Sequence, residues 1–108
     1  MNKLFSYEYK PKYYSDSSFA APLDAYIWKI NSLMIIHIYL INSKPNSIIY
    51  VPFPYNYKNK NSVCVYFTDN DESLVNKSNF EVGWYDGKGV KIKNAIVGGT
   101  ILAIGNID

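Results

Sequence analysis

Arginine and glutamine are absent from the 108 residues, and histidine and cysteine occur once each, as His37 and Cys64. Without arginine there is no planar fork for bidentate recognition of phosphate or guanine. One His and one Cys fall short of the usual structural zinc site, which takes about four ligands. No metal or cofactor is therefore expected. A lone thiol forms no intramolecular disulfide. Long hydrophobic runs are also missing. The most apolar stretch, Leu33 to Ile41, is interrupted by His37 and is far shorter than the roughly 20 residues that span a bilayer as a helix. Residues 1–12 carry Lys3, Glu8, Lys10 and Lys12 and no apolar run of signal-peptide length. The expectation is a chain made in a cytoplasm, with no membrane insertion. Charge of one sign is scarce as well: 11 Lys against 9 Asp and Glu leave +2. That excess is too small for a strongly basic nucleic-acid module or a polybasic membrane anchor.

What remains is apolar and aromatic. Hydrophobic residues make up 48% of the chain, enough for a globular core in a single domain of this size. Asn, Lys, Ile and Tyr are abundant, which is how codons rich in A and T translate, and points to a low-GC bacterium or its phage.

Residues 1–20 read as an arm or connector and 21–108 as one domain. In the arm, Phe5, Tyr7 and Tyr9 alternate as an edge strand that is expected to stop at Pro11. From Leu23 onward the pattern is β. Ala25 to Ile30 alternates and is followed by Asn31-Ser32 and then Leu33 to Asn42, which reads as a hairpin. Leu33 to Ile41 is apolar on both faces, as in a strand central to a sandwich or set against another subunit. Further strands are expected at Ile48–Val51, Val63–Thr68, Phe80–Tyr85, Val90–Lys93 and Thr100–Ile107, with Leu74-Val75 as a short pairing segment. Turns are expected at Ser43–Ser47, Asp69–Glu72, Asp86–Gly89 and Gly98-Gly99. Asp-Gly is read there as tolerating positive φ. The fold class is all-β, an antiparallel β-sandwich or jelly-roll-like domain of seven or eight strands. Ile27, Met34, Ile36, Val65, Val82, Trp84, Ile92 and Leu102 are its expected core, and Cys64 reads as a small buried hydrophobe.

Catalysis is hard to assemble. His37 lies mid-strand with no carboxylate or nucleophile near it in sequence, and reads as a core or interface residue. Asp69, Asp71, Glu72, Glu81 and Asp86 could supply a carboxylate pair only by chance proximity. The turn Asp69-Asn70-Asp71-Glu72 starts like a calcium loop, but Leu74 stands where glycine is required and Phe80 where the bidentate acid is required. The aromatics are the strongest feature. Tyr and Lys interleave in Tyr55-Asn56-Tyr57-Lys58-Asn59-Lys60, a texture suited to stacking sugars or single-stranded bases, or to covering sheet and subunit surfaces. Tyr55, Tyr57, Asp69, Asp71, Tyr85 and Asp86 flank turns where sandwich loops gather and are the candidate ligand-binding residues. No residue is assigned a catalytic role.

The order of these features resembles a known family. A Trp-bearing strand and a long apolar strand, Trp28 to Ile38, lead to Val51-Pro52-Phe53-Pro54-Tyr55. The aromatic Gly hairpin Trp84 to Ile92 and a last strand ending Gly105-Asn106-Ile107-Asp108 follow. Over residues 21–108 this is similar to the C-terminal head domains of phage tail-fibre and baseplate receptor-binding proteins. The resemblance implies a β-sandwich head assembled as a homotrimer within the virion, beside other virion proteins, binding a host-surface saccharide. The usual long stalk has no counterpart here, and the family has no fixed ligand motif to carry over. The alternative is a non-virion phage or bacterial interaction protein. It would act as an inhibitor of a host enzyme or as a single-stranded nucleic-acid binder using Lys58 and Lys60. The small charge argues against the nucleic-acid version.

Overall fold

The structure is a computed structural model that describes residues 5–41, 43, 47–69, 81–93 and 98–108, with 69, 81–85, 93 and 98 described by their backbone. Its strands are β1 (Phe5–Tyr14), β2 (Leu23–Ile30), β3 (Leu33–Ile41), β4 (Ile48–Pro52), β5 (Val63–Asp69), β6 (Glu81–Tyr85), β7 (Gly89–Lys93) and β8 (Gly98–Asn106). One 3₁₀ turn, Lys60–Ser62, precedes β5. Among the described residues there is no α-helix, and no helix long and apolar enough to cross a membrane.

Five strands form one sheet in the order β1-β2-β3-β8-β5, and three form a second in the order β4-β7-β6. Every described pairing is antiparallel. Side chains alternate across a strand, so each strand of the large sheet has one face toward the small sheet and one away from it. The inward set is Leu23, Ala25 and Ile27 of β2, Met34, Ile36, Ile38 and Leu40 of β3, and Ile101 and Ala103 of β8. It meets Ile49, Val51, Val90 and Ile92 of the small sheet in one buried cluster. The domain is thus an all-β sandwich. Each fully buried Ile or Leu contributes about 1.5–3 kcal/mol by leaving water.

The expected hairpin of β2 and β3 is present, with Asn31 at φ 54° making the turn. Asn is among the few residues with a side chain that tolerates this region. Of the expected core, Ile27, Met34, Ile36 and Ile92 are buried and Val65 packs partly buried against the cluster. The side chains of Val82 and Trp84 lie outside the described residues, as do Leu74-Val75 and most of the Ser43–Ser47 turn.

Four expectations are corrected. Leu102 is only half-buried and lies opposite His37 and Tyr66 on the outer face, because the inward positions of β8 are Ile101 and Ala103. Cys64 is exposed for the same reason of parity, sharing that face with Ile104. β1 does not stop at Pro11. Its register shifts between Lys10 and Tyr14, Lys12 adopts φ 51°, and the Lys12 N–H donates to Asp24 Oδ1 at 2.8 Å. A bulge thus absorbs the proline that lacks a ladder donor. Gly98-Gly99 is not a turn but the start of β8, where Gly99 pairs with both Leu40 and Asp69. A Cβ on Gly99 would collide with the Thr68 carbonyl, so glycine there admits a close backbone approach.

Candidate functional site

Two surfaces stand apart from the core: a hollow at one end of the sandwich, and the outer face of the five-stranded sheet.

The hollow lies between the loop after β4 and the turn joining β6 to β7, and encloses about 360 Å³ open to solvent. Its construction begins at Phe53 and Tyr57, whose rings are buried and meet edge to face at 5.5 Å. The Tyr57 hydroxyl, 3.0 Å from the carbonyl oxygens of Met34 and Ala103, donates into the β3–β8 backbone. Burial pushes this phenol well above its ordinary value of 10.0, against a smaller opposing pull from the Ile36 backbone. The loop is tied to the turn by Phe53 N–H donating to Lys88 O and Tyr57 N–H donating to Gly87 O, both at 2.8 Å. Lys58 N–H donates to Asn106 O at 3.0 Å.

The turn itself departs from expectation in its mechanism. No described glycine has a positive φ. Instead Asp86 Oδ1 accepts from the backbone N–H of Lys88 at 2.7 Å and of Gly89 at 3.1 Å. This Asx arrangement closes the hairpin. Gly87 is needed for space, since a Cβ there would sit 2.7 Å from the Tyr57 carbonyl.

The expected binding residues separate. Tyr57 and Asp86 both line the hollow, Tyr57 from inside the core with its hydroxyl occupied. Tyr55 faces the other way, toward β1 and β2. Its hydroxyl donates to Glu8 Oε1 at 2.7 Å, and its ring carries the Lys10 and Lys29 ammoniums at 4.7 and 4.5 Å from the centroid. That cation–π and hydrogen-bonded cluster pins the arm to the loop. Tyr85 pairs with Val90 and Asp69 with Gly99 through their backbones. Asp71 and the side chains of Asp69 and Tyr85 lie outside the described residues. Among the described residues, no three His, Cys, Asp or Glu side chains gather as a metal site.

The outer face was visible in sequence only through the two-faced strand β3 and the tyrosines of the arm. Pairing register assembles it in rows across five strands. One row runs Tyr9, Tyr26, His37, Leu102, Tyr66 and the next Tyr7, Trp28, Ile35, Ile104, Cys64. Phe5, Ile30 and Leu33 flank these on one side and Tyr39 on the other. Neither full row contains an Asp, Glu or Lys. Tyr66 is 58% exposed, Tyr7 52% and Tyr39 48%. Tyr9 and Tyr26 stack at 4.8 Å and 20°, and Tyr26 and Trp28 at 6.4 Å and 22°. A centroid spacing equal to the roughly 4.8 Å between strands means that rings cover one another's faces.

No family model, curated protein or solved structure matches the chain.

Proposed function

We propose that this protein is a non-catalytic binding subunit of a phage particle, held in the tail or baseplate. It would associate with its own copies through the outer face of the large sheet and present its loop end to a host-surface saccharide. The observation that carries the binding role is the uncovered apolar face. Strands about 4.8 Å apart and side-chain rows about 6.8 Å apart make it roughly 24 by 27 Å, or about 650 Å², with Asp24, Thr68, Thr100 and Asn106 at its margins. This approaches the roughly 800 Å² each partner gives to a stable protein interface. Aliphatic residues are spread among its aromatics, and the stacked faces of Tyr9, Tyr26 and Trp28 are used by one another, so it suits a protein surface better than a sugar. A contiguous apolar patch of this size on a small soluble chain calls for a partner. Its two central rows carry no full charge, and Asp24, opposite Tyr39, lies at the margin, which fits a second copy whose like face brings no unpaired charge to the centre. The family resemblance supplies the trimer, the virion context and the saccharide.

Light scattering on the purified chain tests the association. A trimer is expected at micromolar concentration, and Ile35→Lys together with Tyr66→Lys should give the monomer with an unchanged circular dichroism spectrum. A wild-type monomer would favour the non-virion interaction protein, with the same face given to a different protein. A glycan array of host-wall saccharides tests the second half of the proposal.

A further inference from the structure

We propose that the hollow is a binding site for an anionic saccharide, one whose units carry phosphodiester or carboxylate groups. The proposal deepens the saccharide reading and rests on it. It comes from which polar groups of the hollow are spent and which are left. Three backbone carbonyls and two side-chain oxygens of the hollow are spent. Gly87 O takes the Tyr57 N–H, Lys88 O takes the Phe53 N–H, and Asn59 O takes the Ser62 N–H. Asn59 Oδ1 accepts from Asn61 N and from Ser62 Oγ, at 2.9 and 3.1 Å. Asp86 Oδ1 accepts twice within its own turn.

The side-chain groups left over are mostly donors. Lys58, Lys60 and Lys88 line the hollow and are exposed, and no acidic side chain among the described residues pairs with them. An ammonium offers three donors and no acceptor, and Asn59 keeps its amide NH₂. Among the described residues lining the hollow, only Asp86 Oδ2 and the Asn56 amide oxygen remain as side-chain acceptors. Three Lys against one Asp leave the rim at +2, as large as the formal excess of the whole chain. A neutral sugar hydroxyl needs acceptors as well as donors, whereas phosphate and carboxylate oxygens only accept. The hydrogen-bonded wall fixes the backbone from which the three lysines project. Lysine meets the anion as a point charge and needs no bidentate geometry, which the absence of arginine rules out.

The test is calorimetric titration of the full chain with four probes: a glycerol-phosphate oligomer, an oligogalacturonate, a neutral dextran oligomer and the oligonucleotide dT10. Binding of the glycerol-phosphate oligomer or the oligogalacturonate is expected, with dextran and dT10 clearly weaker. Lys58→Gln, Lys60→Gln and Lys88→Gln should each weaken it about 3- to 10-fold, and 0.5 M salt should abolish most of it, as expected for exposed charges. Melting temperatures of the three variants should stay at the wild-type value, which separates lost binding from lost folding. Tightest binding of dT10 would overturn the proposal in favour of a nucleic-acid site. Dextran bound as well as the charged oligomers, or charged-oligomer binding unmoved by the three variants, would also overturn it while leaving saccharide binding intact. No binding to any charged oligomer or to the glycan array would remove both readings, with self-association unaffected.

Discussion

Tyr57 shows how much one side chain decides. Its position in a Tyr-Asn-Lys run reads as a surface aromatic. The fold turns it inward, where its hydroxyl donates to carbonyls of two neighbouring strands. Tyr57→Phe leaves those oxygens without that donor and should cost about 1–3 kcal/mol by urea denaturation. Tyr57 and Tyr13 are both raised by burial above the ordinary 10.0. Below that value both are protonated in the folded and the unfolded chain, and their contribution does not vary. Above it the unfolded chain releases protons that the fold retains, so stability should fall as pH rises, by up to about 1.4 kcal/mol per pH unit per group. Urea midpoints measured at neutral and at strongly alkaline pH check this, and Tyr57→Phe should make the alkaline decline shallower. Gly87→Ala, set against the Tyr57 carbonyl, should destabilise more than an ordinary turn substitution.

At the level of single elements, β3 and β8 are each apolar on both faces, so composition does not say which face is the core. Register says it. Ile36 pairs with Ala103 and Ile27 on the inward side, and His37 with Leu102 and Tyr26 on the outer side. Ile38→Ala should therefore cost about 2–5 kcal/mol, as large-to-small changes in a packed core do. Leu102→Ala should cost under about half as much in the isolated protomer, because Leu102 is half-buried and outside the central cluster. Paired denaturation curves decide it. β1 carries its own signature: Lys12 at φ 51° is strained for a residue with a Cβ. Lys12→Gly should leave stability unchanged or raise it by up to about 1 kcal/mol, an outcome a regular strand would reverse. The alternation, the hairpins and the strand positions were legible because they depend on neighbours in sequence. The strand through Pro11 and the extended Gly98-Gly99 were not, because a bulge and a close backbone approach depend on the partner strand.

For the whole molecule, a five-stranded sheet over a three-stranded one means that the layers do not match in area. The loop after β4 extends cover over part of the surplus, with Tyr55 reaching Glu8, Lys10 and Lys29 on the inward side of β1 and β2. Among the described residues the outward side has no second layer. Tyr55→Ala should loosen β1 selectively, seen as faster amide exchange in β1 with β3 unchanged, since an edge strand has a ladder on one side only.

Composition and periodicity by themselves determined an all-β sandwich, the β2–β3 and β6–β7 hairpins and the core residues Ile27, Met34, Ile36 and Ile92. Each of these follows from local propensity and a two-residue repeat. Only the tertiary structure decided that β8 crosses to pair between β3 and β5. That pairing brings Leu102, Ile104, Cys64 and Tyr66 alongside the aromatics of β1 and β2. It likewise decided that Asp86, nearly thirty residues from Lys58 in sequence, shares a hollow with it. Both are long-range pairings, and the free energy that selects them comes from burying Ile, Val and Leu between layers, to which residues far apart in the chain contribute together.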